Sequence, residues 1–238
     1  MLRFSSAASA RPVLSPPVFF AAPLTLLYGA SGVGKSSLLR AGVLPELRRR
    51  ASLLAVVFPS IASEGPGSSE SVGPGGWQTD PLGGLKETVA LALYESGAGS
   101  ETQTRYRDAI DKARLSPLRE FLAACHDVSG RRLMLILDQF EEYSLFHTED
   151  DAFAEQLPAA VAVRDLSLSF LISLREDALG KLDRFKGRIP SAKRIFCAIQ
   201  PSSLKAAPPR SCARTSIASW SSSPMKNAPL PPASPIAL

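Results

Sequence analysis

The 238-residue chain is 45% hydrophobic, enough apolar side chain to bury the core of one α/β domain with an appendage. Its formal charge of +5 is unevenly spread: all 22 acidic residues and 21 of the 27 basic ones precede Ser191, so residues 1–190 sum to −1 and residues 191–238 to +6. The basic balance thus argues for no nucleic-acid partner of the folded part, and no apolar run approaches the length of a membrane span. Cys125, Cys197 and Cys212 lack disulfide or metal-ligand spacing, which fits a reduced, cytoplasmic setting; His126 and His147 are isolated as well.

Residues 1–23, with Pro12, Pro16, Pro17 and Pro23, read as an irregular lead-in. Its acid-free, Ser/Ala/Arg-rich composition has a trace of a targeting peptide, but its apolar part runs directly into the first strand, so cleavage would cut the core. That strand is Leu24–Tyr28. From Lys35 a helix presents Leu38, Leu39, Val43 and Leu47 on one side; Gly42 and Pro45 weaken its far end, and the Arg48-Arg49-Arg50 run favours its C-terminus. Leu53–Phe58 is a second, fully apolar strand. Residues 59–76, with five glycines and three prolines, read as a loop or insertion.

Asp80 and Pro81 form an N-cap and first-turn pair that opens a helix bearing Leu82, Leu85, Val89, Ala92 and Leu93, closed by Gly97. Trp77, just before it, is either a staple-like packing residue or a ligand contact. Another helix follows Ser116-Pro117, burying Leu118, Phe121, Leu122 and Cys125. Leu133–Leu137 is an unbroken apolar run of the kind a strand buried on both faces requires, and Asp138 stops it. A helical stretch from Asp151 to Val163 leads to the strand Leu168–Leu174, closed by Arg175-Glu176-Asp177. The alternation of strands and helices predicts an α/β fold with a mainly parallel sheet. Residues 191–238 hold eight prolines, ten serines and no acidic residue, the composition of a disordered basic tail.

The stretch Gly29–Ser36 matches G-x-x-x-x-G-K-[S/T] between a strand and a helix. Glycines let backbone N–H groups curl around phosphate oxygens while the helix presents its positive end to them, so Gly29, Ala30, Ser31, Gly32, Val33, Gly34, Lys35, Ser36 and Ser37 form a candidate nucleotide cradle. Lys35 is placed to reach the β- and γ-phosphates, and the Ser36 hydroxyl to ligate Mg²⁺. Ligands of parallel α/β sheets sit at the carboxyl ends of the strands, where Asp138 and Arg175 also fall. Asp138 is then the carboxylate on the Mg²⁺ side, generally through water. The group that orients or deprotonates an attacking water is Gln139, Glu141 or Glu142; the plainer reading of the two glutamates is an acidic helix N-terminus. Arg175 either senses the γ-phosphate or pairs with Glu176 or Asp177.

Three segments together resemble the novel STAND NTPase domain: LYGASGVGKSSLLRAGVLP (Leu27–Pro45), LILDQFEE (Leu135–Glu142) and SLRED (Ser173–Asp177) with Leu179 and Leu182 beyond. The resemblance covers residues 24–190. It implies a P-loop NTPase three-layer sandwich that binds ATP with Mg²⁺, hydrolyses it slowly as a timer, and switches between a closed state and an open, oligomerising one. It also implies Lys35 and Ser36 as Walker A residues, Asp138 as the Walker B acid, Arg175 as a sensor-like arginine, and other protein domains or further copies of the chain as partners. Relatives continue past the point matching Ile189-Pro190 into a helical lid, whereas residues 191–238 look unlike one. The expectation is therefore a domain truncated after Pro190, its tail either read out of frame or the end of a gene fragment. The rival readings are a small-molecule or nucleotide kinase, for which residues 178–238 offer no arginine-bearing lid, and a non-catalytic remnant with a vestigial nucleotide site. An ABC-type ATPase is disfavoured because no L-S-G-G-Q-like signature occurs.

Overall fold

A computed structural model describes residues 22–59, 76–163, 167–189 and 194–198. Five parallel strands, β1 (Leu24–Gly29), β2 (Leu53–Phe58), β3 (Arg132–Leu137), β4 (Leu168–Arg175) and β5 (Arg194–Ala198), form one sheet in the order β2-β3-β4-β1-β5. Parallel strands need crossovers, and the helices supply them: α1 (residues 35–48) after β1, α2 (Pro81–Glu95), α3 (Ser100–Ala113) and α4 (Leu118–Ser129) between β2 and β3, then α5 (Phe140–Phe146) and α6 (Ala152–Ala162) between β3 and β4. A 3₁₀ helix, Glu176–Phe185, follows β4.

From β1 to β4 the sheet is buried on both faces, and each of these strands divides its side chains between two cores. Leu133, Leu135 and Leu137 of β3 join the larger core with α2 to α6, while Met134 and Ile136 face the other way. That second, smaller core is filled from α1 by Leu39, Val43, Leu44 and Leu47. The result is the three-layer α/β sandwich expected, with α1 the one helix on its face among the described residues.

Helix α1 runs as Lys35–Ser37, a π-helical stretch Leu38–Val43, and Leu44–Arg48. The sequence marks Gly42 and Pro45 as weak points, yet the helix continues through them. Pro45 has no N–H for the carbonyl four residues back and would crowd it; the wider π turn, with Leu44 N–H on Leu39 O, takes up the conflict. Asp80 caps α2 as expected, its Oδ1 accepting from Gly83 N at 2.8 Å. Asp151 caps α6 in the same way, from Ala154 N at 2.8 Å.

Two elements were not legible in the pattern. Helix α3 is mostly polar and buries only Tyr106, Ile110 and Ala113, too thin an apolar stripe to stand out beside a helix already closed at Gly97. Strand β5 lies inside the stretch that composition assigns to the tail, past the boundary at residue 190. Its register runs from Leu24↔Arg194 to Tyr28↔Ala198. Averaging over a Pro/Ser-rich segment hides five residues whose partner is β1, a pairing remote in sequence. The lead-in up to residue 21, the insertion 60–75 and the tail beyond residue 198 lie outside the described residues.

Trp77 is a packing residue and ties the site to the core. It is fully buried, with Phe58, Phe140, Tyr143 and Phe153 edge-on around it at centroid distances of 4.8–5.8 Å. Its Nε1 donates to Asp138 O at 2.9 Å, and its own carbonyl accepts from His147 Nε2 at 2.7 Å. Replacing it tests both functions. By urea denaturation, Trp77→Ala is expected to cost about 3–5 kcal/mol through lost packing. Trp77→Phe, which keeps a ring but orphans the Asp138 carbonyl, should cost about 1–3 kcal/mol.

Candidate functional site

Because all the strands are parallel, their carboxyl ends share one edge, and register sets them level: Gly29 lies opposite Arg175, and Leu137 opposite Ile172. At that edge a cavity of about 280 Å³ is lined by Ser31, Gly32, Gly34, Lys35, Ser36 and Ser37 from the glycine-rich turn, by Asp138, Gln139 and Glu141 from the β3–α5 turn, and by Ser173 and Arg175 from β4. Segments more than a hundred residues apart thus face one space.

The turn has the shape that the motif predicts. Gly32 and Gly34 hold positive φ, 74° and 85°, which glycine adopts without the Cβ penalty other residues meet. Helix α1 starts directly behind them, with Leu38 N on Gly34 O at 2.8 Å, so its unsatisfied N–H groups open toward the cavity. Lys35 Nζ curls back onto Gly29 O at 2.9 Å and Ala30 O at 3.0 Å, neutral acceptors that a phosphate oxygen outcompetes for an ammonium.

Asp138 is 1% exposed and held by its backbone from both sides: its N–H donates to Phe58 O at 2.8 Å and its carbonyl accepts from Trp77. Oδ1 accepts from Gln139 N at 3.0 Å, while Oδ2 is buried with no hydrogen-bond partner. A buried carboxylate oxygen without a donor is costly unless a cation or water serves it. Among the described residues, the cation within ion-pair range is Arg40, Nη2 at 3.5 Å. Ser173 Oγ, also buried and without a partner, lines the same cavity. The donor set therefore suits a hard, hydrated divalent cation: Asp138, with one carboxylate oxygen lacking a donor, and Ser36, with its hydroxyl, both line one polar cavity.

The other predicted residues divide. Gln139 occupies the left-handed region (φ 53°) at the N-cap of α5, a conformation uncommon for a residue with a Cβ, and it lets β3 turn into a helix within two residues. Gln139 and Glu141 border the cavity, and Glu142 is not among its lining residues. Glu141 Oε2 accepts from Arg175 N at 3.2 Å, joining α5 to the end of β4. The Arg175 guanidinium grips Asp177 through two bonds, 3.0 and 2.7 Å, so of the two arrangements left open by the sequence it adopts the ion pair, at the rim of the cavity. Two residues escaped functional notice in the sequence. Ser173 had a signal, a hydroxyl inside an apolar strand; Arg40 had none, because its partner is 98 positions away.

Fold and site together define a P-loop NTPase domain: a parallel α/β sandwich whose glycine-rich turn and facing carboxylate close one cavity. The family follows from comparison, since the model for Novel STAND NTPase 1 matches residues 15–207, and the chain belongs to that family. That match runs beyond the boundary at residue 190 and takes in β5. No curated protein matches the chain. Among solved structures, the chain is similar to a Walker-type ATPase of Pyrococcus abyssi, at 20% identity over 74% of this chain and 49% of the other, TM-score 0.43. It is also similar to the cytoplasmic domain of the type VII secretion ATPase EccC of Thermomonospora curvata, at 19% identity over 76% and 20%, TM-score 0.34. A third match is the HORMA:CdnC:Trip13 complex of E. coli MS115-1, at 15% identity over 75% and 49%, TM-score 0.31. The chain spans about half the length of the Pyrococcus protein.

Glu142 gives the site a pH signature. Burial first, then the neighbouring charges of Glu141 and Asp138, raise its carboxyl above the ordinary range. A carboxyl raised on folding favours the folded state below its unfolded value and loses that contribution as pH climbs through the folded value. Glu142→Gln should therefore be more stable than wild type at pH 7, with the difference vanishing as pH falls through 4. Thermal melts across that range check it.

Proposed function

We propose that this chain is an ATP-binding, Mg²⁺-dependent, slowly hydrolysing nucleotide switch domain of a STAND-type signalling protein. The observation that carries the reading is that the glycine-rich turn, Lys35, Ser36 and Asp138, whose Oδ2 has no hydrogen-bond partner, all line one polar cavity. In this reading the backbone of residues 29–36 cradles the phosphates, and Lys35 leaves its two carbonyls for the β- and γ-phosphate oxygens. Ser36 and Asp138 would hold Mg²⁺, which would supply charge neutralisation for the phosphates.

Glu141, bordering the cavity and fixed by the Arg175 backbone, orients the attacking water, with Gln139 beside it. Ser173 Oγ has a free donor for a γ-phosphate oxygen or that water. Arg175 reaches the γ-phosphate after releasing Asp177; the loss of that exposed pair is a small cost, since surface ion pairs contribute about 0–1 kcal/mol. The exchange couples nucleotide state to the 3₁₀ helix that carries Asp177, a route by which phosphate contacts reach the rest of a larger assembly. Partner domains or further copies of the chain read out that state, in a cytoplasmic setting.

A thermal-shift assay tests the proposal. At nucleotide about a hundredfold above Kd, wild type should gain about 2.7 kcal/mol with Mg-ATP. Lys35→Ala should gain little, and Asp138→Asn should lose the difference between Mg-ATP and ATP with EDTA. Equal responses from wild type and Lys35→Ala would overturn the reading.

A further inference from the structure

Arg40 stands in the π turn of α1, and its Nη2 lies 3.5 Å from Asp138 Oδ2. That is ion-pair range without a hydrogen bond: Oδ2 has no hydrogen-bond partner, and Arg40 Nε is buried with none either. The short, directional bonds that make buried Arg–carboxylate pairs durable are missing, so Coulomb attraction alone holds this one. Arg40 also borders a second cavity of about 260 Å³ between α1, β2 and α2, whose walls include Arg48, Thr88 and Glu95. The guanidinium thus has room to move away from Asp138, toward a space with a second carboxylate on its wall. The widened turn that carries it belongs to a class of distortion that recurs at functional sites.

Resting on the nucleotide reading above, we propose that Arg40 is a resident counter-cation of Asp138 that Mg²⁺ displaces. With no metal present, the guanidinium serves a buried carboxylate that would otherwise face no cation. When Mg-nucleotide binds, Oδ2 turns to the hydrated metal and Arg40 withdraws toward the second cavity. Two cations cannot both take the single unpartnered oxygen, so Arg40 sets how much free Mg²⁺ the site needs. It is a positioning residue acting through Asp138: it acts on metal dependence rather than on the phosphates, which the residues lining the P-loop cavity contact.

The test uses the full chain, a fluorescent ATP analogue at fixed concentration and a titration with MgCl₂, comparing wild type, Arg40→Met, Asp138→Asn and the double variant. The midpoint of Mg²⁺-dependent binding in Arg40→Met should fall to about tenfold lower free Mg²⁺, within the range for charged groups in contact. In the Asp138→Asn background, Arg40→Met should shift nothing. An unchanged or higher midpoint in Arg40→Met overturns the inference, because Arg40 is then a fixed strut rather than a competitor. Wild type that binds nucleotide with no Mg²⁺ dependence overturns it too. Wild type that binds no nucleotide at all brings down the nucleotide reading itself, a distinct result. Should Arg40→Met fail to fold, dicarbonyl labelling of wild type followed by peptide mapping decides: faster modification of Arg40 with Mg-ATP than with ATP and EDTA is expected, and equal rates overturn the proposal.

Discussion

The site depends on a carboxylate held in a place where a carboxylate is expensive. Asp138 directly follows the interior strand β3, its N–H spent on Phe58 O and its carbonyl on Trp77 Nε1, so the backbone has little freedom to re-aim the side chain. Only one of its two oxygens is served by a hydrogen bond. Burying such a group leaves stability unclaimed, and proteins retain it where function needs the spare valence. The aromatic cluster around Trp77 bears that cost: the packing that stabilises the larger core also holds the backbone of Asp138.

Around that carboxylate the cations are occupied by oxygens of the chain itself. Lys35 rests on Gly29 O and Ala30 O, Arg175 on Asp177, and Arg40 beside Asp138. Each contact is readily given up, for a different reason: neutral carbonyls for Lys35, solvent exposure for Arg175, and missing hydrogen-bond geometry for Arg40. A ligand entering the cavity exchanges these contacts rather than creating charge interactions from nothing. The net gain is a difference between two sets of contacts, which is the condition for a site that responds to nucleotide and also releases it.

The route from this exchange to the rest of the fold is short. Glu141 of α5 accepts from the Arg175 backbone, and Arg175 pairs with Asp177 at the start of the 3₁₀ helix. At the other end of that helix, Arg184 donates to the carbonyl of His147, whose ring contacts Asp151 and the Trp77 carbonyl. The chain of contacts thus closes on Trp77 and returns to Asp138, so the turn that holds the carboxylate and the segment that follows β4 share one polar and aromatic network.

Sequence alone determined what is decided locally. The glycines of the turn at 29–36 specify its backbone because few other residues accept positive φ, and the apolar runs of β1 to β4 specify buried parallel strands because both faces must be covered. The caps at Asp80 and Asp151 are local for the same reason, each side chain serving an N–H three residues on. Tertiary structure decided whatever joins distant residues. Helix α3 and strand β5 exist because neighbours cover a thin stripe or pair an edge, Trp77 became packing rather than contact because four aromatic rings surround it, and Arg175 turned to Asp177. The pairing of Arg40 with Asp138 lies furthest from the reach of sequence. It needs a π turn to carry the arginine and a strand order that brings two segments 98 residues apart to one edge, and local pattern holds only Pro45 as a trace of the first and nothing of the second.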